Sequence, residues 1–189
     1  VGIDLHDAAV LEFADSSLAN AGDPDYAVPG DGLGLLASQA GWVVILTTSA
    51  AIKTKAGLGS FVAAKTHTIK RKVRATLAAE GLAANEAAEA GDLIRAHFAE
   101  IRGSHPLDLR QWRSEVLNVP AALVTDCRSL YDHLYKRGST PDDKRLRLDL
   151  EMLRNEMERG LEVCWVETWL QMADGLTKDA RDALYYLKY

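Results

Sequence analysis

The stretch from Thr76 to about Glu100 restricts the possible folds more than any other part of the chain. It is rich in alanine, and Leu77, Leu82, Leu93, Ile94 and Phe98 recur at helical spacing, so it predicts one long helix with Glu80 in its first or second turn. Three β-type segments precede it. "VLEFAD" runs from Val10 into Asp15, "GWVVILTTSA" is rich in β-branched residues, and "GLGSFVAAK" has the character of a third strand; their succession predicts a meander. The proline and glycine cluster from Asp23 to Gly34 predicts a longer loop. After the long helix come a short helix in "PLDLRQWRSEVL", a strand in "AALVTD" and a helix in "SLYDHLYK" that closes near Gly138. A helix carrying Leu146, Leu150, Leu153 and Met157 then runs up to Gly160, followed by a strand in "LEVCWV" and a helical tail from about Leu170 to Tyr189. This order specifies an α/β chain with a five-stranded mixed sheet and flanking helices. No repeat or linker divides it, so residues 1–189 are expected to form a single domain.

Composition agrees with a packed core. With 48% hydrophobic and 26% charged residues in 189, such a chain buries about 70% of its extended surface. No apolar run approaches the roughly 20 residues of a membrane span. The opening "VGIDLHDAAV" lacks the order of a secretory signal, which points to a soluble intracellular protein without a membrane partner. A start at Val1 rather than Met fits a piece of a longer polypeptide, and equally a trimmed chain. Cys127 and Cys164 are too few for a disulfide scaffold and lack zinc-site spacing; both are expected reduced and buried. The net charge of −5 excludes a protein that simply coats nucleic acid.

Three acids stand where a strand ends or a helix begins. Asp15, Asp126 and Asp174 occupy such junctions and Glu80 joins them from the long helix, and in an α/β sheet those junctions converge on one rim. Taken alone, Asp126 reads first as a helix cap, because its oxygen can accept first-turn amide hydrogens. As a group the acids make poor structure: two carboxylates about 4 Å apart repel by about 4 kcal/mol at an effective dielectric of roughly 20. Glu86, Glu89, Asp92, Asp142 and Asp143 read as solvated helix faces or caps.

The order and contexts of these acids resemble ribonuclease H, and most closely the ribonuclease H domain of copia-type retrotransposon polyproteins. "FADSSLANAG" is similar to the first family motif, "RATLAAEGLA" to the second and "VTDCRSL" to the third, while "TWLQMADGLTK" resembles the copia-type pattern around the fourth acid. The resemblance runs from about Val10 to Lys178 and implies a ribonuclease H-like fold, with Asp15, Glu80, Asp126 and Asp174 as catalytic metal ligands. It implies two Mg²⁺ or Mn²⁺ ions, consistent with a set of hard oxygen donors, with Asp15 expected to bridge them. It implies hydrolysis of the RNA strand of RNA·DNA hybrids during reverse transcription of a retroelement. The hybrid and the reverse transcriptase domain of the same polyprotein would be the partners, and the cytoplasm, virus-like particles or the nucleus the location.

The chain departs from the pattern at Ala78, where many copia-type domains carry another Glu, and at Glu167, where Pro is common. It also has no His after His133; Thr168 stands near the place where cellular ribonucleases H use one. "DKRLRLDL", with Asp149, resembles a further segment of the subfamily for which a structural or strand-positioning role is expected. Two other readings stand beside this one. A 3′ to 5′ exonuclease would have Glu rather than Ser17 in its first motif. A catalytically inactive, connection-like module would only bind nucleic acid or a reverse transcriptase partner.

From Lys65 to Arg74, "KTHTIKRKVR" contains no acid. Lys70, Arg71, Lys72 and Arg74 lie just upstream of Glu80 and read either as a nucleic-acid backbone contact or as cations that keep an edge strand soluble. Trp112, between Arg110 and Arg113, reads either as a nucleic-acid clamp or as a half-buried helix residue; Trp42, Trp165 and Trp169 are expected in or near the core. Replacing Lys70, Arg71 and Lys72 with Glu should weaken hybrid binding and flatten its salt dependence, because fewer counterions are released. An unchanged salt slope in a binding titration would assign the strip to solubility.

Overall fold

The long helix, α2 (Thr76–Arg102), lies across a sheet of the expected composition. The computed structural model describes residues 2–18, 38–70, 73, 75–103, 108, 110–136 and 141–177. β1 (Ala8–Ser17), β2 (Gln39–Thr48) and β3 (Ser60–Thr68) form the antiparallel meander. β4 (Ala121–Thr125) joins β1 in parallel and β5 (Leu161–Trp165) joins β4, giving the order β3-β2-β1-β4-β5. Because β1, β4 and β5 are parallel, their C-terminal ends emerge on one rim. The same rim receives the C-terminal end of β3, since Ser17 faces Gln39 and Gln39 faces Thr68.

Helices α3 (Trp112–Val116), α4 (Arg128–Tyr135) and α5 (Lys144–Glu158) follow as the apolar spacing predicts. Asp143 caps α5, accepting from the Arg145 and Leu146 amides, and the chain leaves α5 through Gly160 at φ +102°, a conformation that favours glycine. One helix was not anticipated. Beyond Thr48 the "TTSA" run turns into α1 (Ser49–Thr54), because the Thr48 hydroxyl accepts from the Ala51 amide and caps it. Ile52 of α1 then packs on Ala9 and Ala122, covering the sheet face opposite α2.

Other expectations are corrected. Cys127 and Cys164 are free but half-buried, because Cys164 is on the edge strand β5 and Cys127 follows the end of β4 rather than lying in the centre of the sheet. Trp169 is 72% exposed, since the last strand leads into a 3₁₀ turn over Thr168–Leu170 that carries its ring outward. Helix α6 occupies Asp174–Thr177 and starts later than the expected Leu170, which ends a 3₁₀ turn; residues 178–189 of the expected tail lie outside the described residues, as do the Asp23–Gly34 loop and Gly138. Trp112 is a half-buried helix residue with the Arg113 guanidinium 5.3 Å from its ring centroid. Among the described residues, no helix is long and apolar enough to cross a membrane.

The core forms where α2 meets β1 and its neighbours. Val10, Ala14, Val44, Leu123, Leu150 and Leu153 are buried against Ala79, Ala83, Ala84 and Ala87 of the helix. Small side chains let the helix approach closely, and at Gly91 there is no room for a side chain. A Cβ there would come within 1.8 Å of Glu12 Oε1, so the space of the missing side chain is filled by the Glu12 carboxyl. Glu12 is fully buried, and neither oxygen has a hydrogen-bond partner among the described residues. Burial pushes its pKa well up, against the opposing pull of the Arg95 guanidinium.

Gly91→Ala should therefore destabilise the fold by more than about 2 kcal/mol in chemical denaturation. Glu12→Ala in the same chain should recover part of that loss, by vacating the space the new methyl needs. Strictly additive losses in the double mutant would show that the two residues do not compete for one volume.

Candidate active site

The strand register brings the first two acids together. Phe13 pairs with Val124 across the parallel β1–β4 ladder, so two residues further on Asp15 and Asp126 leave the sheet side by side. Asp15 shares a face of β1 with Phe13, which packs on Ala173 ahead of α6. Ser16 points the other way, and its hydroxyl donates to Glu80 Oε1 on α2 at 2.8 Å. Glu80 thus reaches the rim from the α2 side and Asp15 from the α6 side.

Asp174 is placed by an anchored turn. Buried Gln171 donates from Nε2 to the carbonyls of Ala14 at 2.8 Å and Val124 at 3.4 Å, and accepts from the Ala173 amide at 3.3 Å. This ties the segment before α6 to both strands that carry Asp15 and Asp126. Gly41, the cross-strand partner of Asp15, completes the fit: a Cβ there would stand 2.9 Å from Leu176 Cβ and 3.0 Å from Thr177 Cγ2. With α6 seated this closely, the Thr177 hydroxyl donates to Asp15 Oδ2.

The result is a crowded anionic corner. Asp15, Glu80 and Asp174 are buried and Asp126 is half-buried. The Asp15 pKa is raised from 3.8 to about 6 by burial first, then by Asp126 and Asp174, with the Thr177 hydrogen bond pulling the other way. Glu80 is raised from 4.5 to about 8, again by burial first, then by Asp15 and Asp126, against the Ser16 hydrogen bond. Glu80 Oε2 is buried without a hydrogen-bond partner among the described residues. Among those residues, no three His, Cys, Asp or Glu side chains form a compact ligand group; Asp15 and Glu80 each turn one oxygen to a neighbouring hydroxyl.

The cap reading of Asp126 fails. The residue at the start of α4 is Cys127, with no side-chain cap, and the Cys127 amide is taken by Thr125 Oγ1 at 3.1 Å. The Asp126 carbonyl instead accepts from the Trp165 indole at 3.0 Å, which holds this turn against β5.

Of the positive strip, Lys70 is exposed just after β3, on the rim that carries the acids; Arg71, Lys72 and Arg74 lie outside the described residues. Lys65 and His67, earlier in the strip, pair with Glu86 of α2 at 3.4 and 3.1 Å, and β3 is an edge strand. Asp149 is buried where α5 meets α2, and its carbonyl accepts from Asn85 at 2.9 Å. Sequence reasoning passed over Ser16, Gln171 and Thr177 as functional residues. The available signal was their presence in "FADSS" and "QMADGLT", the stretches that carry the acids.

The chain has the ribonuclease H-like fold. It is similar over 93% of its length to 98% of ribonuclease H1 from Halobacterium salinarum NRC-1, at 19% identity and a TM-score of 0.53. Two further similarities are to the N-terminal ribonuclease H domain of a Mycobacterium tuberculosis protein and to LC11-RNase H1, isolated from compost by a metagenomic approach. They have 17% and 15% identity, each with a TM-score of 0.49, and cover 96% and 94% of this chain and 99% and 98% of theirs. No protein-family model matches the chain, and no curated protein matches it.

The raised pKa values of Asp15 and Glu80 carry a sign. Between about pH 4 and about 8 the native state holds protons that the unfolded chain has released, so stability falls as pH rises through that window. Thermal melts in EDTA should therefore show a lower Tm at about pH 8 than at about pH 5, and Glu80→Gln should flatten the fall by removing the larger contributor. Parent and variant with the same pH slope would show that Glu80 does not ionise against its neighbours.

Proposed function

We propose that this chain is a ribonuclease H that hydrolyses the RNA strand of RNA·DNA hybrids. In this reading Asp15, Glu80, Asp126 and Asp174 hold two Mg²⁺ or Mn²⁺ ions. The observation that carries the reading is the convergence of these four acids at one rim, where Asp15 and Glu80 are raised by burial and by the other carboxylates. The donor set fits such ions: hard carboxylate oxygens, one of them buried and without a partner among the described residues, in surroundings where ionisation of Asp15 and Glu80 is disfavoured until a cation compensates it. When bound, the ions would neutralise charge building on the phosphate and activate a water.

The chain's own groups prepare the site. Ser16 and Thr177 fix one oxygen each of Glu80 and Asp15, and Gln171 holds the turn before Asp174 against β1 and β4. Lys70 on the same rim supports a role for the strip in holding the phosphate backbone, and an A-form hybrid would be selected by groove shape and 2′-hydroxyls rather than by base sequence. The "QMADGLTK" stretch supports assignment to a copia-type retroelement, working beside the reverse transcriptase of the same polyprotein.

The test is incubation of a labelled RNA·DNA hybrid with Mg²⁺ or Mn²⁺ beside duplex DNA and duplex RNA. The parent should cut only the RNA of the hybrid, and Asp15→Asn should lower the rate by at least about a hundredfold while melting as a folded protein. Hybrid binding without cleavage by the parent would identify a binding module, and equal cleavage by Asp15→Asn would overturn the assignment of the site.

A further inference from the structure

Beside the acids, at the outer edge of the sheet, an arginine lies against two aromatic rings. The Arg128 guanidinium lies 5.1 Å from the Trp165 ring centroid and 5.4 Å from that of Tyr131. Its Nε faces Asp132 at 3.4 Å, one turn along α4, and the side chain is nevertheless 61% exposed. These groups line a cleft of about 340 Å³ between α4 and β5. The guanidinium is exposed, so its N–H groups can meet phosphate oxygens in a two-pronged manner. An arginine held by two ring contacts and by Asp132 loses little conformational freedom on binding.

The position of this platform suits one ligand. Arg128 is two residues beyond Asp126, and Trp165 pairs with Thr125 and donates its indole N–H to the Asp126 carbonyl, so platform and acid share one rigid turn. Lys55 and Glu162 line the other end of the cleft. The Glu162 carboxylate would repel a phosphate there, which confines the contact to the Arg128 end beside the acids. We propose that Arg128, held by Trp165 and Tyr131, is a strand-positioning residue that grips a backbone phosphate of the strand being cut, next to the phosphate presented to the acids. This rests on the hybrid-cutting reading above and adds the contact that holds the cut strand in register.

The test separates the two ideas. Hybrid binding is measured at several salt concentrations in the Asp15→Asn background, with and without Arg128→Gln; cleavage is measured separately in chains with Asp15 intact. Lys136→Gln serves as a control of equal charge, because Lys136 pairs with the same Asp132 from the far end of α4 and is 71% exposed. Arg128→Gln should weaken binding about tenfold and lower the salt slope by about one. In cleavage it should raise KM by a similar factor with kcat little changed, as expected for lost uniform binding. Trp165→Leu, with its Tm checked, should move binding in the same direction, and Lys136→Gln should change neither quantity. Arg128→Gln that binds like Lys136→Gln, or a hybrid that fails to bind at all, overturns the proposal. Absence of cleavage by a parent whose binding still depends on Arg128 overturns the hybrid-cutting function alone.

Discussion

A helix can lie close against the central strand of a sheet only if its inner face is small, and α2 meets this condition with Ala79, Ala83, Ala84, Ala87 and Gly91. That closeness has two consequences. Near the middle of the helix it encloses Glu12 completely, leaving an acid whose charged form burial disfavours. Near the N-terminus it delivers Glu80 to within hydrogen-bonding distance of Ser16, one residue beyond Asp15 on the strand. A larger residue on the inner face would lift the helix and withdraw Glu80 from the rim.

The opposite side of β1 follows the same logic with different groups. Gly41 allows α6 to approach the sheet, Gln171 fastens the preceding turn to two strands, and Thr177 reaches Asp15. Asp15 is therefore held from the α6 side while its neighbour Ser16 holds Glu80 from the α2 side. The arrangement concentrates negative charge in a place with little solvent, and Asp15 and Glu80 take up protons well above the usual carboxylate range. The helix and the anchored turn oppose that repulsion by packing and hydrogen bonds that do not involve the acids' own charges.

The elements were largely legible in the sequence because each has its own period or punctuation. Alanine-rich spacing marked α2, β-branched runs marked β2, and Leu146, Leu150 and Leu153 with Gly160 marked α5 and its end. The exceptions were local. Nothing in "TTSA" distinguishes a strand end from a capped turn of helix until Thr48 is seen to accept from Ala51, and Trp169 looks like core by composition although the turn that carries it points outward. Asp126 shows the same limit: acid before helix is the pattern of a cap, and only the geometry shows Cys127 in the cap position and the Asp126 backbone held by Trp165.

What the sequence alone determined is the order of most strands and helices and the presence of an acid at each of three junctions with a fourth early in the long helix, because periodicity and turn chemistry are properties of neighbouring residues. What only the tertiary structure decided is which groups meet. The pairing of Phe13 with Val124 places Asp15 beside Asp126, Gly91 and Gly41 set how near two helices come, and Arg128 meets Trp165. These contacts join residues far apart in the chain. They depend on register, close packing and burial, which exist only once the sheet has formed and the helices have closed on it.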